Sequence, residues 1–260
     1  MSTTKPTIFI TGAAGGFGQA VARTFVRQGW YVGLYDLSEA PLTELVSSLG
    51  GPDVACCGTL DVTDIESTRQ AIQHFGEHTG GQLRVLFNNA GITGVGAFTD
   101  VSIEHHRKVI DVNLFGVMNV AHAAIPLMRN TPGAHLINVS SASALHGNPE
   151  LVSYSATKRA VLSFTESLDI GLEADGIRVS DLLPMYAKTP IILDYLSQHR
   201  KLSDKDIKLT PDDIAAATWK VVQTGKFRTY VGTDTKVFAP LSRLFPYRIR
   251  KWVSRKVIGW

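Results

Sequence analysis

The sequence predicts an α/β fold, a single domain built on a doubly wound parallel sheet. Three observations carry that prediction. Short apolar runs alternate with longer amphipathic stretches along most of the chain. The short runs are apolar throughout, as strands covered on both faces require. A glycine-rich turn then joins the first run directly to the first helical stretch. A repeated strand–helix–strand order is best satisfied by parallel strands with right-handed crossover helices on both faces.

Taken in order, residues 7–10, 31–35, 54–60, 83–88, 134–140 and 177–183 read as strands, β-branched or apolar and bounded by Gly, Asp or Asn. Between them, residues 17–28, 40–49, 65–77, 103–128 and 154–174 carry the helical spacing of apolar positions. After Leu183 the rhythm breaks, and residues 184–208 read as a lid with one short helix. Thr210 then caps a further helix, with Pro211 at its first position and Asp212 and Asp213 at its positive end. Residues 1–240 thus form one predicted domain that includes the lid, and residues 241–260 a basic amphipathic tail.

Composition agrees. With 260 residues, 44% hydrophobic and 19% charged, the chain can bury one sizeable core but is short for two ordinary domains. No apolar run approaches the roughly 20 residues of a membrane-spanning helix. The N-terminus enters a strand pattern at once and lacks the composition of a signal peptide. Cys56 and Cys57 are adjacent, a poor arrangement for a disulfide and too few thiols for a four-ligand metal set. They read as small buried side chains in a strand of a reduced, cytoplasmic protein. His105, His106 and the other histidines show no metal-ligand spacing, so no metal site is expected.

The formal charge of +3 hides an asymmetry. Residues 241–260 hold six basic side chains (Arg243, Arg248, Arg250, Lys251, Arg255, Lys256) and no acidic ones. Residues 1–240 keep 20 basic against 23 acidic. Such a distribution argues against a nucleic-acid binder. The tail has three open readings: peripheral contact with an anionic membrane, a subunit contact, or a solvated basic edge.

The turn after the first strand reads Thr11-Gly12-Ala13-Ala14-Gly15-Gly16-Phe17-Gly18. Glycines there let the backbone bend tightly and approach a pyrophosphate, while the helix N-terminus offers free N–H groups and a positive dipole end. Asp36 closes the second strand, twenty residues after Gly16. Its carboxylate suits the hydroxyls of an adenosine ribose and repels a 2′-phosphate; a capping role is compatible with this. No Arg or Lys lies in the turn, and Leu37 and Ser38 follow the aspartate. NAD is therefore favoured over NADP.

Further along, Tyr154-Ser-Ala-Thr-Lys158 opens a long helical stretch. Residues four apart share a helix face, so phenol and ammonium can point into one crevice. An ordinary tyrosine, with a pKa of about 10, is a poor base at neutral pH. A neighbouring ammonium favours the phenolate and makes the residue a usable acid–base.

With these motifs in hand the chain resembles the short-chain dehydrogenase/reductase family, single-domain type. The resemblance rests on the TGxxxGxG turn (residues 11–18), Asp61-Val62 after the third strand, Asn88-Asn89-Ala90-Gly91, Asn113 in a helix, a strand-end serine and YxxxK. These occur in order over roughly residues 7–190, a compound pattern far more specific than any component. It implies a Rossmann-like fold and a role for each matching residue. Gly12, Gly16, Phe17 and Gly18 would cradle the cofactor, with Asp36 and Leu37 at its ribose. Asp61 would bind the adenine, with Val62 beside it, and Asn89, Ala90 and Gly91 would flank the cofactor. Tyr154 would donate a proton to a ketone, or take one from an alcohol, as hydride passes to or from the nicotinamide. Lys158 would hold the nicotinamide ribose and depress the tyrosine pKa. Asn113 would support a water-mediated proton relay; its plainer alternative is a polar residue that bends the helix. Ser141 lies thirteen residues before Tyr154, the family spacing, and would orient the substrate oxygen in preference to Ser140 or Ser143.

The chain departs from the family after the sixth strand, where Met185 replaces a glycine while Thr189 keeps its place to contact the nicotinamide. With Leu145, Tyr186, Ile191, Ile192 and Tyr195, Met185 points to a hydrophobic alcohol or ketone, lipid-, steroid- or retinoid-like. Packing within a lid is the competing explanation. The resemblance further implies a homodimer or homotetramer built through the two long helices. Two rival functions remain: a non-catalytic dinucleotide-binding sensor or scaffold, which retention of Ser, Tyr and Lys disfavours, and an enoyl-type reductase on the same fold.

Overall fold

In a computed structural model, strand and helix alternate along the described residues. The structure describes residues 5–185, 207, 209–232 and, from the tail, 246, 248, 249, 251, 252 and 255. The predicted lid lies almost wholly outside the described residues, as do Tyr186, Thr189, Ile191, Ile192 and Tyr195. Most of the tail does too; its described Ile249 and Trp252 are exposed.

The strands are β1 (Thr7–Thr11), β2 (Tyr31–Asp36), β3 (Ala55–Thr59), β4 (Val85–Asn88), β5 (His135–Val139), β6 (Arg178–Pro184) and β7 (Arg228–Val231). They form one sheet in the order β3-β2-β1-β4-β5-β6-β7, with every pairing parallel. The helices are α1 (Gly16–Arg27), α2 (Ala40–Leu49), α3 (Ile65–Thr79), α4 (Ile103–Ile110), α5 (Val117–Arg129), α6 (Val152–Gly171) and α7 (Pro211–Thr224). This is the doubly wound, Rossmann-like architecture expected. Strand order reverses between β2-β1 and β4-β5, so a crevice opens at the carboxyl ends of the strands.

Alternation along each strand divides the core into two layers. Ile8, Ile10, Val32 and Leu34 pack with Val21 and Phe25 of α1, Leu42 and Leu45 of α2, and Ile214 and Val221 of α7. On the opposite face, Phe9, Tyr35 and Leu86 meet Ile72 and Phe75 of α3 and Val120, Ala124 and Met128 of α5. Thr210 caps α7 as predicted, in a reciprocal box with Asp213.

Three expectations need correction. The helix read over 103–128 is interrupted by a π-helical turn, Asp111–Gly116, between α4 and α5. Contrary to the sequence reading, the continuous stretch Ile103–Arg129 is long and apolar enough to cross a bilayer by length and composition. One face of it packs on the sheet through Val120, Ala121, Ala124 and Met128, while Phe115 and Met118 are exposed. Finally, β7 was not predicted. It is held by the Arg228 guanidinium, which grips the fully buried Asp181 carboxylate of β6 at 2.6–3.0 Å and also pairs with Glu166.

Candidate active site

The glycine turn is built by exclusion. Gly12 has φ +65°, and a Cβ there would lie 2.9 Å from Asn89 Nδ2 and 3.0 Å from Ala90 Cα. Thr11 Oγ1 accepts hydrogen bonds from Asn89 N and Ala90 N, while Asn89 Nδ2 donates to the carbonyls of Thr11 and Gly12. The turn and the β4 terminus are therefore stitched together side by side. Gly15 is the N-cap of α1, with no side-chain cap and no acidic residue in the first turn. That helix end keeps its N–H groups and positive dipole end available to an anion. Gly12, Gly16 and Phe17 line the crevice. Gly18 does not. A Cβ there would strike Gly12 O at 2.5 Å and Ala13 Cα at 2.6 Å, so this glycine serves helix-on-turn packing rather than direct contact.

Asp36 and Leu37 lie on the same wall. The Asp36 carboxylate accepts from Ala14 N at 3.0 Å and from Leu37 N at 2.8 Å, which ties β2 to the glycine turn and leaves further lone pairs for a ligand. Asp61 and Val62 follow. Asp61 Oδ1 accepts from both Thr63 N and Thr63 Oγ1, fixing the carboxylate. Gly116 allows the approach of Val62, whose Cγ2 would be 2.6 Å from an added Cβ.

At the other end of the crevice, of about 420 Å³, stand Ser141, Tyr154 and Lys158. The Lys158 ammonium is buried, donates to Val139 O at 2.9 Å and lies 5.7 Å from the Tyr154 ring centroid. Burial pulls its pKa down from 10.5 to about 8. The two serines separate by their partners. Ser140 Oγ is buried and donates to the Lys158 carbonyl at 2.8 Å, a structural tie. Ser141 Oγ accepts from Ser143 N at 3.2 Å, which leaves its own hydrogen free for a substrate oxygen.

Asn113 sits in the π-helical turn, fully buried, and does not line the crevice. Its carboxamide clasps the backbone of Ile92, accepting from the N–H and donating to the carbonyl, each at 2.8 Å. A Cβ on Gly91 would lie 3.2 Å from Asn113 Oδ1 and 3.5 Å from Lys158 Nζ, a tight fit to the carboxamide and ordinary contact with the ammonium. The helix departs from α geometry at Asn113, as the plainer reading of a helix-bending polar residue expects.

Of the residues expected to make an apolar pocket, Met185 lines the crevice and its N–H donates to Val231 O. Leu145 is corrected: it packs in a small core cluster with Ala144, Leu162 and Leu183 instead of facing the crevice. Ile92, Val95, Val112 and Leu151 supply apolar wall that sequence reasoning missed, together with His146, whose pKa is lowered by burial. Ile92 directly follows Asn88-Asn89-Ala90-Gly91, a signal that could have found it. The reading that no histidine has ligand spacing also fails: His74 and His78, four apart on α3, converge with Cys56.

Known proteins settle the family. The short chain dehydrogenase family model matches residues 6–199. The chain belongs to the short-chain dehydrogenase/reductase family. It is 35% identical over 190 residues to oxidoreductase UcpA of Salmonella typhimurium, covering 72% of each chain. Among solved structures it resembles a short-chain dehydrogenase/reductase from Burkholderia phymatum in complex with NAD, at 26% identity and TM-score 0.83, covering 93% and 94% of the two chains. A 3-ketoacyl-(acyl-carrier-protein) reductase from Brucella melitensis complexed with NADH is similar at 27% identity and TM-score 0.79, covering 87% and 96%. As a member of this family the protein is an oxidoreductase on a fold that binds a nicotinamide dinucleotide.

Proposed function

We propose that this oxidoreductase interconverts a secondary alcohol and a ketone, prefers NAD, and acts on a hydrophobic substrate. The observation that carries the reading is the buried Lys158 ammonium beside the Tyr154 ring, on one crevice with the glycine turn and Ser141. The residues present fit a dinucleotide: a Cβ at Gly12 would fill the cradle, and the N-terminus of α1 is uncapped by any side chain. When bound, the dinucleotide supplies or accepts the hydride. Tyr154 then provides the matching proton to the carbonyl oxygen in reduction and takes it from the hydroxyl in oxidation. Lys158, charged below pH about 8, stabilises the phenolate left behind. Ser141 orients the substrate oxygen. Asn113 positions the loop that carries Ile92, and with it the wall beside Lys158.

Asp36 supports NAD, because a carboxylate already fixed by two backbone N–H groups repels a 2′-phosphate. Met185, Ile92, Val95 and Leu151 support an apolar substrate. Exposed Phe115, Met118 and Ile170 on the two long helical stretches support assembly of like subunits through them. The test is a carbonyl panel with NADH. Reduction of hydrophobic ketones with little turnover of small polar ones supports the reading. Cofactor binding without turnover of any carbonyl would instead favour a non-catalytic dinucleotide sensor.

A further inference from the structure

Away from the crevice, three ligating side chains meet at one edge of the sheet. Cys56 lies on β3, the edge strand of the sheet among the described residues, and His74 and His78 are one turn apart on α3. The sulfur and one nitrogen from each imidazole lie within 4.8 Å of one another. The two rings have centroids 4.5 Å apart. A tetrahedral ion with bonds of about 2.0–2.3 Å holds its ligand atoms roughly 3.3–3.8 Å apart, so the three need to close by about 1 Å. Side-chain rotation supplies that, since His78 is exposed and only Cys56 is confined to the core.

The surroundings resemble those of a ligand set. His78 Nδ1 is 2.9 Å from the His74 carbonyl, an acceptor that requires the proton on Nδ1 and leaves the Nε2 lone pair for a ligand. His74 Nδ1 is 2.8 Å from the Tyr35 hydroxyl, which also lies 3.8 Å from the Cys56 sulfur. Orientation of metal-binding imidazoles by such outer partners is general. One thiolate and two imidazoles select a borderline-soft ion over magnesium or calcium.

We propose that Cys56, His74 and His78 form a binding site for a zinc-class divalent cation, with its fourth position open to water on the exposed His78 side. Binding releases the thiol proton to solvent and forms one metal–sulfur and two metal–nitrogen bonds, with no redox change. The ion clamps α3 onto β3, next to the strand that ends in Asp36. None of the three ligands lines the crevice, although Tyr35, the neighbour shared by Cys56 and His74, does; the proposal does not rest on the oxidoreductase reading.

The test uses the full chain without a histidine tag, kept reduced by a non-thiol reductant and titrated with Co²⁺. The expected result is a thiolate-to-cobalt charge-transfer band that saturates at one equivalent and is displaced by Zn²⁺. Cys56→Ser should abolish the band. His78→Ala, at an exposed position where folding is safe, should weaken binding by about tenfold or more. Cys57→Ser should leave it unchanged, because that thiol lies beside Thr43 instead. No saturable band, a band that survives Cys56→Ser, or wild-type affinity in His78→Ala would each overturn the proposal.

Discussion

Replacing Lys158 with methionine removes a charge that burial disfavours, and so separates stability from function. The side chain is 4% exposed and gives its hydrogen bond to Val139 O; no carboxylate among the described residues pairs with it. Its pKa falls from 10.5 to about 8 through desolvation. A gap of about 2.5 pH units corresponds to ~3 kcal/mol, at about 1.4 kcal/mol per unit. The sign follows from proton counts. Between pH about 8 and 10.5 the unfolded chain holds the proton and the folded chain does not, so stability rises with pH in that window. Below it the full cost is present; above it the cost is gone. Urea unfolding of wild type and Lys158→Met at pH 7 and 10.5 measures this. The free-energy difference between them should move by ~3 kcal/mol in favour of the wild type as pH rises. Loss of the bond to Val139 adds a nearly constant offset, so the pH dependence decides. A flat difference refutes the claim that the fold holds this ammonium against a desolvation cost.

Further outcomes concern four substitutions. Asp36→Ser should narrow the preference for NAD over NADP in kcat/KM by roughly ten- to a hundredfold, the loss of a ~1.5–3 kcal/mol charged hydrogen bond; unchanged selectivity contradicts the assignment. Ser141→Ala should cut kcat by about a hundredfold or more, as for loss of a donor to a developing oxyanion, with at most about 1 kcal/mol of stability lost with the hydrogen bond from Ser143 N. Ser140→Ala should instead cost ~1 kcal/mol of stability with a smaller kcat effect, because its hydroxyl is tied to the Lys158 carbonyl; the reverse ranking moves the catalytic role. Arg228→Met removes the guanidinium that grips the buried Asp181 carboxylate and should cost ~3–5 kcal/mol in denaturant unfolding, whereas a loss below ~1 kcal/mol shows the pair to be dispensable.

Six of the seven strands were legible because parallel strands buried on both faces leave unbroken apolar runs, as in Ile8-Phe9-Ile10 and Leu34-Tyr35. β7 was not, since Arg228-Thr229-Tyr230-Val231 has neither an apolar run nor alternation, and its anchor is an ion pair across 47 residues. The break at Asp111–Gly116 has no proline or glycine-rich signal ahead of it; it is stabilised by the clasp of Asn113 on Ile92, a tertiary contact. Within the site, the YxxxK spacing and the glycine turn could be read directly, as local geometry fixes both. Spacing favoured Ser141, but only the bond from Ser140 to the Lys158 carbonyl separates the two roles. Gly18 looked like a cofactor contact because sequence does not distinguish a glycine needed for ligand approach from one needed for packing. The Cys56–His74–His78 convergence joins β3 to α3; the four-residue spacing of His74 and His78 was legible, but nothing in the sequence pairs them with Cys56.

Tyr154→Phe keeps the ring and removes one hydroxyl, so it tests the proton-transfer role with least disturbance elsewhere. NADH affinity by fluorescence titration and kcat with a hydrophobic ketone should be measured on the same preparation. The expected result is unchanged affinity with kcat reduced by roughly 10²–10⁴-fold, the usual worth of a positioned acid–base. Turnover within a few-fold of wild type would contradict the assignment of the proton to this phenol.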